Sequence, residues 1–141
     1  SKVKQIYTME LISAKCKPIF QHEYALSQLK LSGFKLGLAS NAIRKSVESM
    51  LDRSDLMKYM DFVISNEDVT KPKPDPEIYL KAMKALKVSA DQTLILEDNE
   101  HGILSARASG ASVMEIDSVE DVHLTKITDL IQKIEKGEIL K

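Results

Sequence analysis

The sequence predicts an α/β protein built on a parallel sheet, and three observations carry that expectation. Short apolar runs alternate with amphipathic stretches of about ten residues, the pattern of strands crossed over by helices. The chain has 141 residues, enough for one core in two or three layers. Residues 93–103, TLILEDNEHGI, form an apolar strand that ends on two adjacent acids, Glu97 and Asp98, and turns directly into a helix. A strand tip of that kind delivers side chains to the crevice at the carboxyl edge of an open sheet.

Taken in order, Val3, Ile6, Tyr7 and Leu11 have helical spacing and suggest a first helix that would pack in a larger helical layer. Lys17-Pro18 breaks that pattern. A second amphipathic helix follows at residues 20–31, with Gly33 as its C-cap. Residues 34–40, FKLGLAS, read as a buried strand, and residues 42–51 as a helix with Ile43, Val47, Met50 and Leu51 on one face. Residues 61–65 are a short strand. Pro72, Pro74 and Pro76 then punctuate a loop, and Asp75-Pro76 announces a helix over residues 78–86. After the acid-tipped strand come a helix ending at Gly110, a strand over residues 111–116, and a last helix using Ile127, Leu130, Ile131 and Ile134.

Composition narrows the function. Lysine and arginine (20) balance aspartate and glutamate (21), so no basic field is available for nucleic acid or an anionic membrane. The single cysteine, Cys16, excludes an internal disulfide framework and suits a reducing cytoplasm. No apolar run approaches the ~20 residues of a membrane-spanning helix. His22, His101 and His123 lack metal-ligand spacing, Asp61, Glu67 and Asp68 read as solvated, and Met50, Met57, Met60, Met83 and Met114 read as core fillers.

Three segments could bring chemistry to one edge of such a sheet. Ser40-Asn41 sits where a strand gives way to a helix, where a hydroxyl and free N–H groups can hold phosphoryl oxygens or simply cap the helix. In residues 70–79, TKPKPDPEIY, a lysine before proline is held extended; Lys71 and Lys73 share that context, and a solvated loop lysine is the bland reading of both. Glu97 and Asp98 offer the carboxylate oxygens that a hard cation such as Mg2+ prefers, while Asp98-Asn99 could equally cap the helix that follows.

The order LGLASN, KPKPDPEIY, LEDNEHGILSARASG resembles the haloacid dehalogenase superfamily, in its phosphoglycolate phosphatase and beta-phosphoglucomutase branch, from about Pro18 to Ile116. That resemblance implies a Rossmann-like core in which Ser40 and Asn41 bind the phosphoryl group, Lys71 offsets charge, Asp98 binds Mg2+ directly, and Glu97 is either a second ligand or a residue that orients the ligands. It implies a phosphatase of small phosphorylated metabolites working through an aspartyl-phosphate, or a sugar phosphomutase on the same core. One element departs from the pattern: no apolar strand ends in DxDxT or DxDxV, so the nucleophilic aspartate and the central strand that carries it are missing. Residues 1–15 are then expected to be a remnant of a helical cap or linker, residues 16–141 a partial core, and the chain a fragment that is inactive alone. The alternative from another class is a non-catalytic module of a larger polypeptide. Loss of the central strand would expose backbone edges through which copies could associate.

Overall fold

In the computed structural model, residues 3–8, 20–117 and 121–137 are described. Five strands, β1 (Gln5–Thr8), β2 (Lys35–Ala39), β3 (Phe62–Ile64), β4 (Thr93–Glu97) and β5 (Ser112–Glu115), form one sheet in the order β3-β2-β1-β4-β5. Every pairing is parallel. The helices are α1 (Phe20–Leu31), α2 (Arg44–Arg53), α3 (Glu77–Leu86), α4 (Glu100–Ala108) and α5 (Leu124–Glu135). Among the described residues no helix is long and apolar enough to cross a membrane.

The α/β, Rossmann-like expectation holds, and one part of it is corrected. The centre of the sheet is not missing: Gln5–Thr8 occupies it, with Ile6 paired to Leu36 on one side and Leu94 on the other. The helical reading of Val3, Ile6 and Tyr7 therefore fails, as does the notion that residues 5–8 are a cap remnant. A central strand covered on both faces is apolar on consecutive residues, which removes the alternation that marks a half-exposed strand. Ile6 faces the layer of α1, α2 and α5 with Leu36, Leu38, Leu94 and Leu96. Tyr7 faces α3 and α4 with Ala39, Ile78, Tyr79 and Ile95. Leu11 and Cys16 lie outside the described residues.

Because β1 pairs with both β2 and β4, the edges expected to lie open there are closed. Association through those two strands loses its basis, and β3 and β5 are the edges of the sheet. Other boundaries agree to within one or two residues. Gly33, with φ of +95°, closes α1 by donating to the carbonyl of Lys30 at 3.0 Å, a left-handed conformation that glycine adopts without a Cβ penalty.

Two expectations about single residues are also corrected. Met57 is exposed, whereas Met50 and Met83 are buried. Asp68 is half-buried rather than solvated and accepts from the Ser65 N–H at 2.8 Å, while Asp61 is exposed as expected and accepts from the Leu36 N–H at 2.8 Å.

Candidate active site

The order of strand addition reverses between β1 and β4, the switch point at whose carboxyl edge open α/β sheets bind ligands. Ser40 leaves β2 at that edge, and Asp98 leaves β4 at the same edge. Ser40 is fully buried; its N–H donates to Ile64 O at 3.0 Å and its hydroxyl accepts from the Ala42 N–H at 3.0 Å. That turn, rather than a helix cap, is its local role, since α2 begins only at Arg44 behind Ile43. Asn41 beside it is exposed.

The lysine at this edge is Lys73, which corrects the choice of Lys71. Glu77, in the first turn of α3, accepts from the Thr70 N–H at 3.0 Å, the Thr70 hydroxyl at 2.9 Å and the Lys71 N–H at 3.1 Å. The N–H bond from Thr70, the first of these, holds the Glu77 carboxyl below its usual range. The loop is thus sewn to the outer start of α3, leaving the Lys71 side chain exposed on the surface. Two residues later the chain turns inward, and the Lys73-Pro74 bond is cis. The Lys73 ammonium is buried, donates to Ala39 O at 3.1 Å, and forms an ion pair with Glu97 Oε2. It also lies 5.1 Å from the centre of the Tyr79 ring, within cation–π range. Lys73 therefore spans from the end of β2 to the end of β4.

Glu97 is buried. Its Oε2 is shared between Lys73 and the Tyr79 hydroxyl, which donates at 2.5 Å. Its Oε1 has no hydrogen-bond partner among the described residues. It packs against the first turn of α4, where a Cβ on Gly102 would stand 2.1 Å from it. The helix can come this close only because residue 102 is glycine. Glu97 is thus the buried counter-ion of Lys73.

Asp98, one residue on, is exposed. The helix cap is Asn99, whose side chain accepts from the Gly102 N–H at 2.8 Å, so Asp98 is not used for capping. Among the described residues no group of three or more His, Cys, Asp or Glu side chains could hold a metal ion. With Glu97 paired to Lys73, Asp98 remains as one exposed carboxylate, and the described residues alone do not fit a Mg2+ site.

A helix-borne tyrosine reads as core, so the sequence does not mark Tyr79 as the partner of Glu97. Its position four residues from Asp75 at the helix start, on the same turn pattern that carries Lys73 inward, is the only trace it leaves there. Tyr7 completes the buried cluster. Its ring meets that of Tyr79 edge-to-face, with centroids 6.1 Å apart. Its hydroxyl has no partner among the described residues, and burial pushes its pKa well above the usual phenol range.

A family model described as haloacid dehalogenase-like hydrolase matches residues 1–116. The chain belongs to that family. It is 29% identical over 129 residues to the pyrophosphatase PpaX of Bacillus mycoides, an alignment covering 82% of this chain and 59% of that protein. It is 35% identical over 86 residues to a phosphorylated carbohydrates phosphatase of Thermotoga maritima, covering 61% and 40%. Among solved structures, a HAD-superfamily hydrolase of subfamily IA from Geobacter sulfurreducens superposes with a TM-score of 0.70 at 29% identity, covering 79% of this chain and 59% of that one. A Listeria monocytogenes protein covers 95% of this chain and 99% of its own with a TM-score of 0.75, but at 15% identity it shows the fold alone. The chain thus spans about three fifths or less of the hydrolases named here.

Proposed function

We propose that this chain is the phosphate-binding side of the core of a phosphohydrolase that acts on small phosphorylated metabolites in the cytoplasm. The observation that carries the reading is Lys73, a buried ammonium bonded to Ala39 at the end of β2 and to Glu97 at the end of β4. A cation there offsets phosphoryl charge, and its burial makes that charge count for more than in water. The relatives named as a pyrophosphatase and a phosphorylated carbohydrates phosphatase support the substrate class.

Within the reading, Lys73 binds a phosphoryl oxygen, Glu97 and Tyr79 hold Lys73 in place, and the turn at Ser40-Asn41 presents polar groups to the same edge. Asp98 would contribute one carboxylate toward Mg2+, too few by itself to hold the ion. The central strand here is Gln-Ile-Tyr-Thr and offers no carboxylate. We therefore expect the 141-residue chain alone to be inactive.

The test is phosphate release by the longest product of the gene, with Mg2+, on a panel including pyrophosphate and sugar phosphates, with products identified. Release that is lost in Lys73→Ala and kept in Lys71→Ala supports the reading. Transfer of phosphate within glucose 1-phosphate would instead indicate a mutase, and no reaction on any substrate would leave the non-catalytic module as the better reading.

A further inference from the structure

The outward face of α1 is apolar where a surface helix should be polar. Phe20 and Leu31 are 80% exposed and Tyr24 is 47% exposed. With Ser27 they occupy positions 20, 24, 27 and 31, a spacing of four, three and four. That is the alternation of a coiled-coil seam, which places all four on one narrow stripe. The opposite face of the same helix is already used: His22, Ala25, Leu26 and Leu29 are buried in the protein. Phe20 and Tyr24 are also preorganised, stacked with ring centroids 5.9 Å apart and planes 17° from parallel.

We propose that this stripe is the contact through which two copies of the chain associate, α1 against α1 in antiparallel orientation about a two-fold axis. A second copy is the occupant whose symmetry the pattern matches. A two-fold contact requires that residue i meet j and that j meet i, and the spacing of this stripe reads the same in both directions. Antiparallel pairing sets Phe20 opposite Leu31 of the other copy and Tyr24 opposite Ser27, so each large side chain faces a smaller one. Charge favours the same orientation. α1 carries Glu23 in its first turn and Lys30 in its last, so antiparallel helices bring acidic and basic ends together, whereas parallel ones would oppose like with like. Glu23 and Lys30 are steadied within each copy by Lys58 at 3.4 Å and by Asp61. The stripe is three large side chains long, which implies a weak, concentration-dependent dimer rather than an obligate one.

Sedimentation velocity on the full chain across a concentration series reads the association, and Leu31→Glu should weaken it by about tenfold or more, as expected from a lost apolar contact. The substitution is at an exposed site, so an unchanged circular dichroism spectrum and melting temperature show that folding is intact. Orientation is read by oxidation in a Cys16→Ser background. Phe20→Cys combined with Leu31→Cys should give a covalent dimer. Phe20→Cys alone should not, because the two copies of position 20 would lie about 16 Å apart along the axis at 1.5 Å per residue. A chain that stays monomeric at every concentration, a dimer indifferent to Leu31→Glu, or efficient cross-linking through Phe20→Cys alone would each overturn the proposal.

Discussion

The ring of Tyr7 lies across Gly37 of the neighbouring strand so closely that a Cβ on Gly37 would stand 2.3 Å from Tyr7 Cε1. Tyr7 pairs with Gly37 in register, so the glycine is the gap that lets a tyrosine sit in the middle of the sheet. We expect Gly37→Ala to destabilise the chain by about 1–3 kcal/mol, the usual cost of overpacking. Pairing it with Tyr7→Leu should recover part of the loss. Urea unfolding of the two single variants and the double variant measures the coupling, and strictly additive losses would mean that the two residues do not meet.

Tyr7→Phe separates the ring from its hydroxyl. The hydroxyl is buried without a partner among the described residues, so its removal should be neutral or stabilising near pH 7. The pH dependence has a definite sign. The pKa of Tyr7 is raised in the folded state by burial, so its contribution is intact below the unfolded value of about 10 and is lost as pH rises above it. Alkaline unfolding should therefore move to higher pH in Tyr7→Phe.

On the acid side, Asp61 and Asp68 act in the opposite direction. Burial opposes ionisation of Asp61, but Lys30 and the Leu36 N–H outweigh it and lower its pKa; the Ser65 N–H leads in lowering that of Asp68, helped by Arg44. Groups lowered on folding stabilise above their unfolded pKa and lose that contribution as pH falls through the folded one. Stability should decline as pH drops below about 4, and Asp61→Asn should flatten that limb. An unchanged acid limb in Asp61→Asn would show that the bonds to Lys30 and Leu36 carry no linkage.

The buried ion pair gives the sharpest contrast between two lysines. Lys73→Met leaves Glu97 charged and without its counter-ion inside the protein, a loss of about 3–5 kcal/mol for a broken buried pair. Lys71→Ala, at an exposed position, should change stability by no more than about 0.5 kcal/mol. Equal effects in chemical denaturation would return the choice between the two residues to an open question.

Much of this architecture is legible in the sequence. The bounds of β4 coincide with its continuous apolar run, and those of α1 lie between the breakers Pro18 and Gly33, since apolar residues occupy both faces of that helix. β1 was hidden because a strand covered on both faces has no alternation, and because positions 3, 6 and 7 also suit a helix. The lysine was ambiguous because Lys71-Pro72-Lys73-Pro74 and Lys73-Pro74-Asp75-Pro76 overlap, and only the anchoring of Thr70 and Lys71 by Glu77 separates them in space. Glu97 and Asp98 are neighbours in sequence but not in environment: one faces the core and the other the solvent.

The most direct test of the central claim is a phosphatase assay on the 141-residue chain itself, with Mg2+, on p-nitrophenyl phosphate and a panel of sugar phosphates. The strand at the sheet centre, Gln-Ile-Tyr-Thr, has no carboxylate in it. We expect no turnover above that of Asp98→Ala. Clear Mg2+-dependent turnover that disappears in Asp98→Ala would contradict this reading, because it would show that the site works without an aspartate on the central strand.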